Sequence, residues 1–352
     1  LLNNQPMGFY HPSTIVKDAQ RHGLKFKPAD VTRSQWECTL EPVSSFEFQV
    51  SSGIPTKNSK LETGNSKLFF VRLGLRYVKG LREEAARALV CERERRPFAS
   101  IDDLARRVPE LRKNELVALA QVGALNFVGT NLPQRYGDTE DFKIGTSGRL
   151  LTAPDPISQS PDHLINQFSV SLCLRGYNQL HRRDALWQVE KSARSSGPLL
   201  EEIAEPDAAS PLAAMSDEER LVADFRGTGL TLGPHPMAYR RAQMDALGVR
   251  QARELPGLPN GKWVRAAGCV IARQRPGTAR GFVFLSLEDE TGIANAIITP
   301  DLFEQNRLLL VGEKFLLVEG VLQNLDNVVS VKAARVLPLD ITRAATRSHD
   351  FH

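Results

Sequence analysis

Apolar positions recur at helical spacing through much of the first 260 residues and at strand spacing after that. "HPSTIVKDAQRHG" at 11–23 predicts a short helix with Ser13 as N-cap, Ile15, Val16 and Ala19 on its inner face, and Gly23 as the stop. The stretch 43–74 alternates apolar and polar residues around turn formers, as a hairpin does. From 76 to 126 the period is helical, with Val78, Leu81, Ala85, Ala88 and Leu89 on one face and Arg82, Glu83, Glu84 and Arg87 on the other. Ser100 followed by Asp103 reads as a helix cap, and a further helix is expected from about Arg112 to Gly123. Short helices joined by tight hairpins result. Residues 127–180 show no sustained period and read as an insertion or disordered linker. "HRRDALWQVEKSA" is helical again, an acidic, proline-containing linker follows, and Ser216 with Glu219 signs the start of the next helical stretch. In the last third, "WVRAAGCVIARQR", "GFVFLSLEDET", "GIANAIIT", "KFLLVEGVLQN" and "NVVSVKAARVLPL" read as five strands, with the helix "TPDLFEQNRLL" between the third and fourth. That is the order of an OB-fold barrel. The fold class expected is α+β and multidomain.

Composition narrows the classes without choosing among them. The 352 residues are 41% hydrophobic, enough for two or three small domains with real cores. The longest apolar runs, such as "FLLVEGVL" at 315–322, fall well short of the ~20 residues of a spanning helix. The start "LLNNQPMGFYHPS" lacks the features of a signal peptide, and a chain beginning at Leu1 is expected to be cut from a longer one. Four scattered cysteines without a C-x-x-C pair point to free thiols and a cytoplasmic location, and no histidine pair has metal-ligand spacing. No metal or cofactor bound by this chain is expected. Nucleotidyl transfer needs paired carboxylates for two metal ions. Asp102 and Asp103 lie instead at a helix start, and Glu288, Asp289 and Glu290 at a strand end, where capping and turn solvation account for them. His235, between two prolines, reads as a rigid turn, and no catalytic residue is expected.

Charge distribution says more than the net charge of +4. "LGLRYVKGLREEAARALV" at 73–90 gathers Arg76, Lys79 and Arg82 around Gly80, with Arg72 just before it. A hairpin glycine lets backbone approach a ligand, and the amides of the following helix start can face an anion. Arg76, Lys79 and Arg82 around Gly80 are therefore candidate contacts to a nucleic-acid backbone. Residues 71–126 hold 12 Lys or Arg against 8 Asp or Glu, which favours that reading over an ordinary solvated hairpin. A second candidate surface lies on the barrel, where OB-folds bind single strands with cations and stacked aromatics. Arg273, Arg275 and Arg280 line the first barrel loop, and Phe282 and Phe284 share a face. They either stack bases or fill the barrel. Nine basic and eight acidic residues between 262 and 337 are too balanced for strong nonspecific binding.

The blocks "LLNNQPMGFYHPSTIVKDAQRHGLKFKPADVTRSQWECTLE", "VRLGLRYVKGLREEAARALV", "HRRDALWQVEK" and "MSDEERLVADFRGTGLTLGPHPMAYRRAQMDALGV" resemble the C-terminal part of the bacterial C-family DNA polymerases. The resemblance is to the error-prone branch, relatives of the DNA polymerase III alpha subunit. It implies the end of a mostly helical fingers domain with a connecting hairpin (1–70), a helix-hairpin-helix module (71–126), the insertion or linker (127–180), a helical connector (181–260), an OB-fold (261–340) and a disordered tail (341–352). It also implies that Lys79, Gly80, Leu81 and Arg82 fall on a hairpin that grips template-primer duplex, with single-stranded template as a further partner for the barrel. The family's catalytic carboxylates and Mg2+ belong to a palm domain expected upstream of Leu1. Translesion accessory proteins are the implied partners in damage-tolerant DNA repair. "PLAAMSDEERLVADF" lacks the Gln-x-x-Met-Phe clamp-binding peptide of replicative relatives, so direct sliding-clamp tethering is not expected. The rivals are a freestanding nucleic-acid-binding protein and, from the barrel alone, an anticodon-binding domain.

Overall fold

A histidine and a proline, rather than a serine, open the first helix. Helix α1 (Pro12–Arg21) starts at His11, which has an extended backbone and whose ring nitrogen Nδ1 accepts the Ser13 amide at 3.2 Å. Pro12 takes the first helical position because it has no amide to satisfy, and this displaces the cap expected at Ser13. The computed structural model describes residues 1–6, 10–42, 69–129, 180–192, 210–325, 328–339 and 349–351.

After α1, strands β1 (Lys25–Lys27) and β2 (Thr39–Pro42) flank β3 (Phe69–Arg72), parallel and antiparallel respectively. The rest of the expected hairpin, 43–68, lies outside the described residues. Arg72 is buried at the end of β3, contrary to its placement among exposed cations. It pairs with both carboxylate oxygens of Glu41, lies 3.7 Å from Asp30, and donates to the Pro28 carbonyl at 3.1 Å. A guanidinium removed from water needs such partners.

Helices α2 (Glu83–Arg95), α3 (Ile101–Arg107), α4 (Lys113–Gln121) and α5 (Arg182–Ser192) follow. The Ser100 hydroxyl accepts the Asp103 amide at 3.0 Å, and the Asp103 carboxylate accepts the Ala99 amide, so this cap forms as expected. Leu89, Leu104, Leu119 and Leu125 are fully buried and share one core with Ala185 and Val189 of α5. Of the insertion expected at 127–180, residues 130–179 lie outside the described residues.

The connector carries α6 (Asp217–Gly227), with a reciprocal Ser216–Glu219 capping box, and α7 (Arg241–Ala246), which leads to β4 (Val249–Arg250). Strands β5 (Trp263–Gln274), β6 (Val283–Glu288), β7 (Ile293–Ile298), β8 (Phe315–Leu325) and β9 (Val328–Pro338) then close a barrel in the order β5-β6-β7-β9-β8-β5. Only the β7–β9 pair in this ring is parallel. This is the OB order, with α8 (Pro300–Gln305) and α9 (Arg307–Gly312) between β7 and β8 where one helix was expected. Val270, Leu285, Leu287, Leu316, Val318 and Val331 fill the interior. Met237, Met244 and Val249 of the connector cover Ala267, Cys269, Phe315 and Leu317 on the outside, so β5 is buried on both faces over much of its length. Within 341–352, expected to be a disordered tail, β10 (His349–Phe351) pairs in parallel with Ala272–Gln274.

Polar contacts tie α1 to the connector and to the barrel. The Lys17 ammonium donates to the Gly233 carbonyl, Gln20 Nε2 donates to the Leu232 carbonyl at 3.0 Å, and Arg21 pairs with Glu288 at the end of β6 at 3.0 Å.

Candidate nucleic-acid interface

The hairpin before α2 is built by a short turn at Leu75–Tyr77, a reversal at Gly80, and the buried side chain of Leu81. Gly80 has φ +85°, a conformation that strains any residue with a Cβ. A Cβ there would have no neighbour within 4 Å, so the glycine answers to backbone geometry and leaves the tip open.

Its neighbouring amides divide into two groups. Lys79 N donates to the Gly227 carbonyl at 2.7 Å, Leu81 N to Val78 at 3.2 Å, and Arg82 N to Glu115 Oε1 at 2.9 Å. The amides of Gly80, Glu83 and Glu84 have no acceptor among the described residues, and all three residues are exposed. Those three can receive an anion.

The cations are more committed than their sequence suggests. Arg76 donates to the carbonyls of Asn3 at 2.6 Å and Gln5 at 3.3 Å, which pins the N-terminal segment while keeping its charge. Lys79 is exposed and reaches across the end of α6, where Nζ donates to the Phe225 carbonyl at 3.0 Å. Arg82 holds Glu115 through Nε at 3.0 Å and Nη2 at 2.9 Å, and donates to the Glu110 carbonyl at 2.5 Å. Burial works to raise the Glu115 pKa, but the bonds from the Arg82 side chain and the amides of Arg112 and Arg82 outweigh it and hold the carboxyl at about 2. Lys79 is thus the exposed cation next in sequence to the open tip, with the Phe225 carbonyl as an acceptor of its ammonium.

On the barrel, alternation answers the question left open by the two phenylalanines. Val283, Leu285 and Leu287 point inward and are buried, whereas Phe284 is 39% exposed and Phe282 is half-buried before the strand begins. Register carries an outward row round the barrel: Gln274 lies opposite Phe284, Phe284 opposite Ile297, Ile297 beside Lys332, Lys332 opposite Val321, and Val321 opposite Trp263. Trp263, Ile297 and Lys332 were not singled out from sequence, although each lies at the strand period that signals the outward face.

Arg273 is corrected by the structure. It is buried, and its Nε donates to the Leu310 carbonyl at 2.6 Å while Nη2 donates to that of Glu313, closing the end of α9. It does not face a strand laid over the loop. Arg275 lies 4.6 Å over the Phe303 ring and 3.7 Å from Glu304, still partly exposed, and Arg280 is exposed with φ +50°. Among the described residues no cluster of His, Cys, Asp and Glu could hold a metal ion, and no helix is long and apolar enough to cross a membrane.

The helix-hairpin-helix motif family matches residues 23–134, which contain this hairpin. Over the whole chain, the error-prone DNA polymerase of Azoarcus sp. (strain BH72) is 36% identical across 354 residues, and that of Anaeromyxobacter sp. (strain K) is 37% identical across 355. Over its whole length the chain is similar to error-prone DNA polymerases. It spans 27% and 25% of the length of these two polymerases, so it corresponds to about a quarter of such an error-prone polymerase. Among solved structures, asparaginyl-tRNA synthetase from Pyrococcus horikoshii complexed with asparaginyl-adenylate shares 25% identity over 27% of this chain and 23% of that one, at a TM-score of 0.22. A superposition that low carries no functional weight.

Proposed function

We propose that this chain is the C-terminal DNA-binding portion of an error-prone polymerase and grips template-primer DNA for a catalytic palm that lies elsewhere in the polymerase. In this reading the Gly80 turn receives a backbone phosphate on the free amides of Gly80, Glu83 and Glu84, and Lys79 adds the sequence-independent electrostatic attraction. The single observation that supports it is the open, left-handed Gly80 beside amides that have no acceptor among the described residues, inside the segment that matches the helix-hairpin-helix motif. Phe284, Ile297 and Lys332 offer a place for single-stranded template on the barrel. Nucleotidyl transfer and its Mg2+ are assigned to the palm, and the setting is cytoplasmic damage-tolerant synthesis with accessory translesion proteins.

The test is fluorescence anisotropy with a labelled primer-template duplex over a salt series. Lys79→Glu weakens binding to all sequences alike and makes the slope of log affinity against log salt shallower by about 1. An unchanged affinity and slope overturn the hairpin contact. Primer extension by this chain alone, with Mg2+ and nucleotides, overturns the division of labour with the palm.

A further inference from the structure

The pattern Val-x-x-Leu-Arg at 78–82 recurs thirty positions later at 108–112, and both copies enter their helices alike. Leu81 N donates to Val78 at 3.2 Å, and Leu111 N donates to Val108 at 3.1 Å. Each helix is entered through an extended arginine, Arg82 or Arg112, whose carbonyl receives the first α-helical bond, from Ala86 at 3.0 Å or Leu116 at 3.1 Å. The copies differ at two places that matter. Pro109 and Glu110 replace Lys79 and Gly80, so the second tip loses one amide and gains a carboxylate. Glu115 replaces Ala85.

That glutamate is 1% exposed and joins the two copies. Oε1 accepts the Arg82 amide at 2.9 Å, and Oε2 accepts the Arg112 amide at 2.8 Å. The Arg82 side chain completes the arrangement through both oxygens, and its third bond reaches the carbonyl of Glu110 at the second tip. One ionised carboxylate therefore fixes the entry residues of α2 and α4 against each other. Since Arg82 lies two residues from Gly80, the same bonds set where the open amides of Gly80, Glu83 and Glu84 point.

We propose that Glu115 is a positioning residue for phosphate binding at the Gly80 hairpin, with the second, glycine-free copy serving as its brace. The inference rests on the reading of that hairpin as a DNA contact. Its sign separates it from electrostatics. Removing a negative charge beside a phosphate site strengthens DNA binding if charge is all that matters, whereas loss of the positioner weakens it. Glutamine has one acceptor oxygen and must turn its NH2 group toward a donor, so Glu115→Gln releases one of the two arginine amides. Aspartate keeps the charge but is too short by one methylene to span both.

The experiment measures duplex affinity over a salt series and amide hydrogen exchange for the full chain, Glu115→Gln and Glu115→Asp. In the parent chain the Arg82 and Arg112 amides are protected, and rapid exchange of either overturns the proposal without any variant. In Glu115→Gln, protection is lost at one of the two amides and affinity falls roughly tenfold, the scale of one poorly satisfied bond. Glu115→Asp falls in the same direction although its charge is unchanged, and it decides the matter if the glutamine variant does not fold. Affinity that stays the same or rises in a folded variant refutes the positioning role. If Lys79→Glu leaves binding unchanged while the exchange pattern holds, it is the DNA reading that fails and not the clasp.

Discussion

Glu288 gives the most demanding test of how the barrel is held against the helical part. Its carboxyl is 3% exposed at the end of β6, and burial pushes its pKa up to about 7 from 4.5 even though Arg21 and Lys17 of α1 pull it down. His235 Nε2 lies 3.8 Å from the same carboxylate, and Asp289 is adjacent with its own charge. An acid whose folded pKa is raised contributes stability that is complete below 4.5 and is lost as the pH rises through about 7. Between pH 5 and pH 8 the gap amounts to ~2.5 kcal/mol for a two-state transition. His235 acts in the opposite sense. Burial first, then the charges of Lys17, Arg21 and Arg241, hold it well below 6.5, so its share is present above that value and lost on acidification. The two contributions overlap in the wild-type profile, and the comparison with Glu288→Gln separates them. Urea midpoints at pH 5 and pH 8, at constant ionic strength, are expected to show wild type losing about 2–3 kcal/mol relative to the variant as the pH rises. Parallel profiles, within ~0.5 kcal/mol, refute the assignment of a buried, protonatable Glu288.

Three further outcomes follow from particular contacts. Leu119 of α4 is fully buried in the core to which α2, α3 and α5 also contribute, so Leu119→Ala costs about 2–5 kcal/mol in a chemical denaturation experiment, and a loss below ~1 kcal/mol counts against this core. Gly320→Ala drives a Cβ to 2.1 Å from the Lys332 carbonyl at the β8–β9 irregularity, whereas Gly80→Ala meets only the strain of φ +85°. Melting is therefore expected to show the larger loss at Gly320, with Gly80→Ala confined to ~1–2 kcal/mol. Phe284→Ala leaves thermal stability nearly unchanged but weakens binding of a short single-stranded oligonucleotide by ~1–3 kcal/mol in an anisotropy titration, and equal affinity removes Phe284 from the barrel surface that binds DNA.

The parts of this molecule that were readable in its sequence are those whose causes are local. Ser100 and Ser216 cap helices because their partners lie three residues away, and the five barrel strands show themselves through alternation and bounding turns. Gly80 could be placed at a turn for the same reason. What sequence could not supply was the occupancy of a charge. Arg76, Arg82 and Arg273 look alike as cations near loops, yet their acceptors lie 71 and 73, 28 and 33, and 37 and 40 residues away. Glu288 read as a solvated strand end because the residue that covers it, Arg21, is separated by 267 positions. Desolvation and pairing are tertiary properties, so a charged residue in a local window defaults to solvent. One non-local signal was present nonetheless: the repeated Val-x-x-Leu-Arg at 78–82 and 108–112 places two helix entries in equivalent settings. Equivalent entries leave equivalent amides to satisfy, and an acid three residues after the entry arginine in one copy, Glu115, but not in the other, Ala85, marks the residue able to serve both. The odd member of a repeat thus carries the information that charge counting misses, and here it distinguishes a hairpin open to a ligand from the copy that holds it in place.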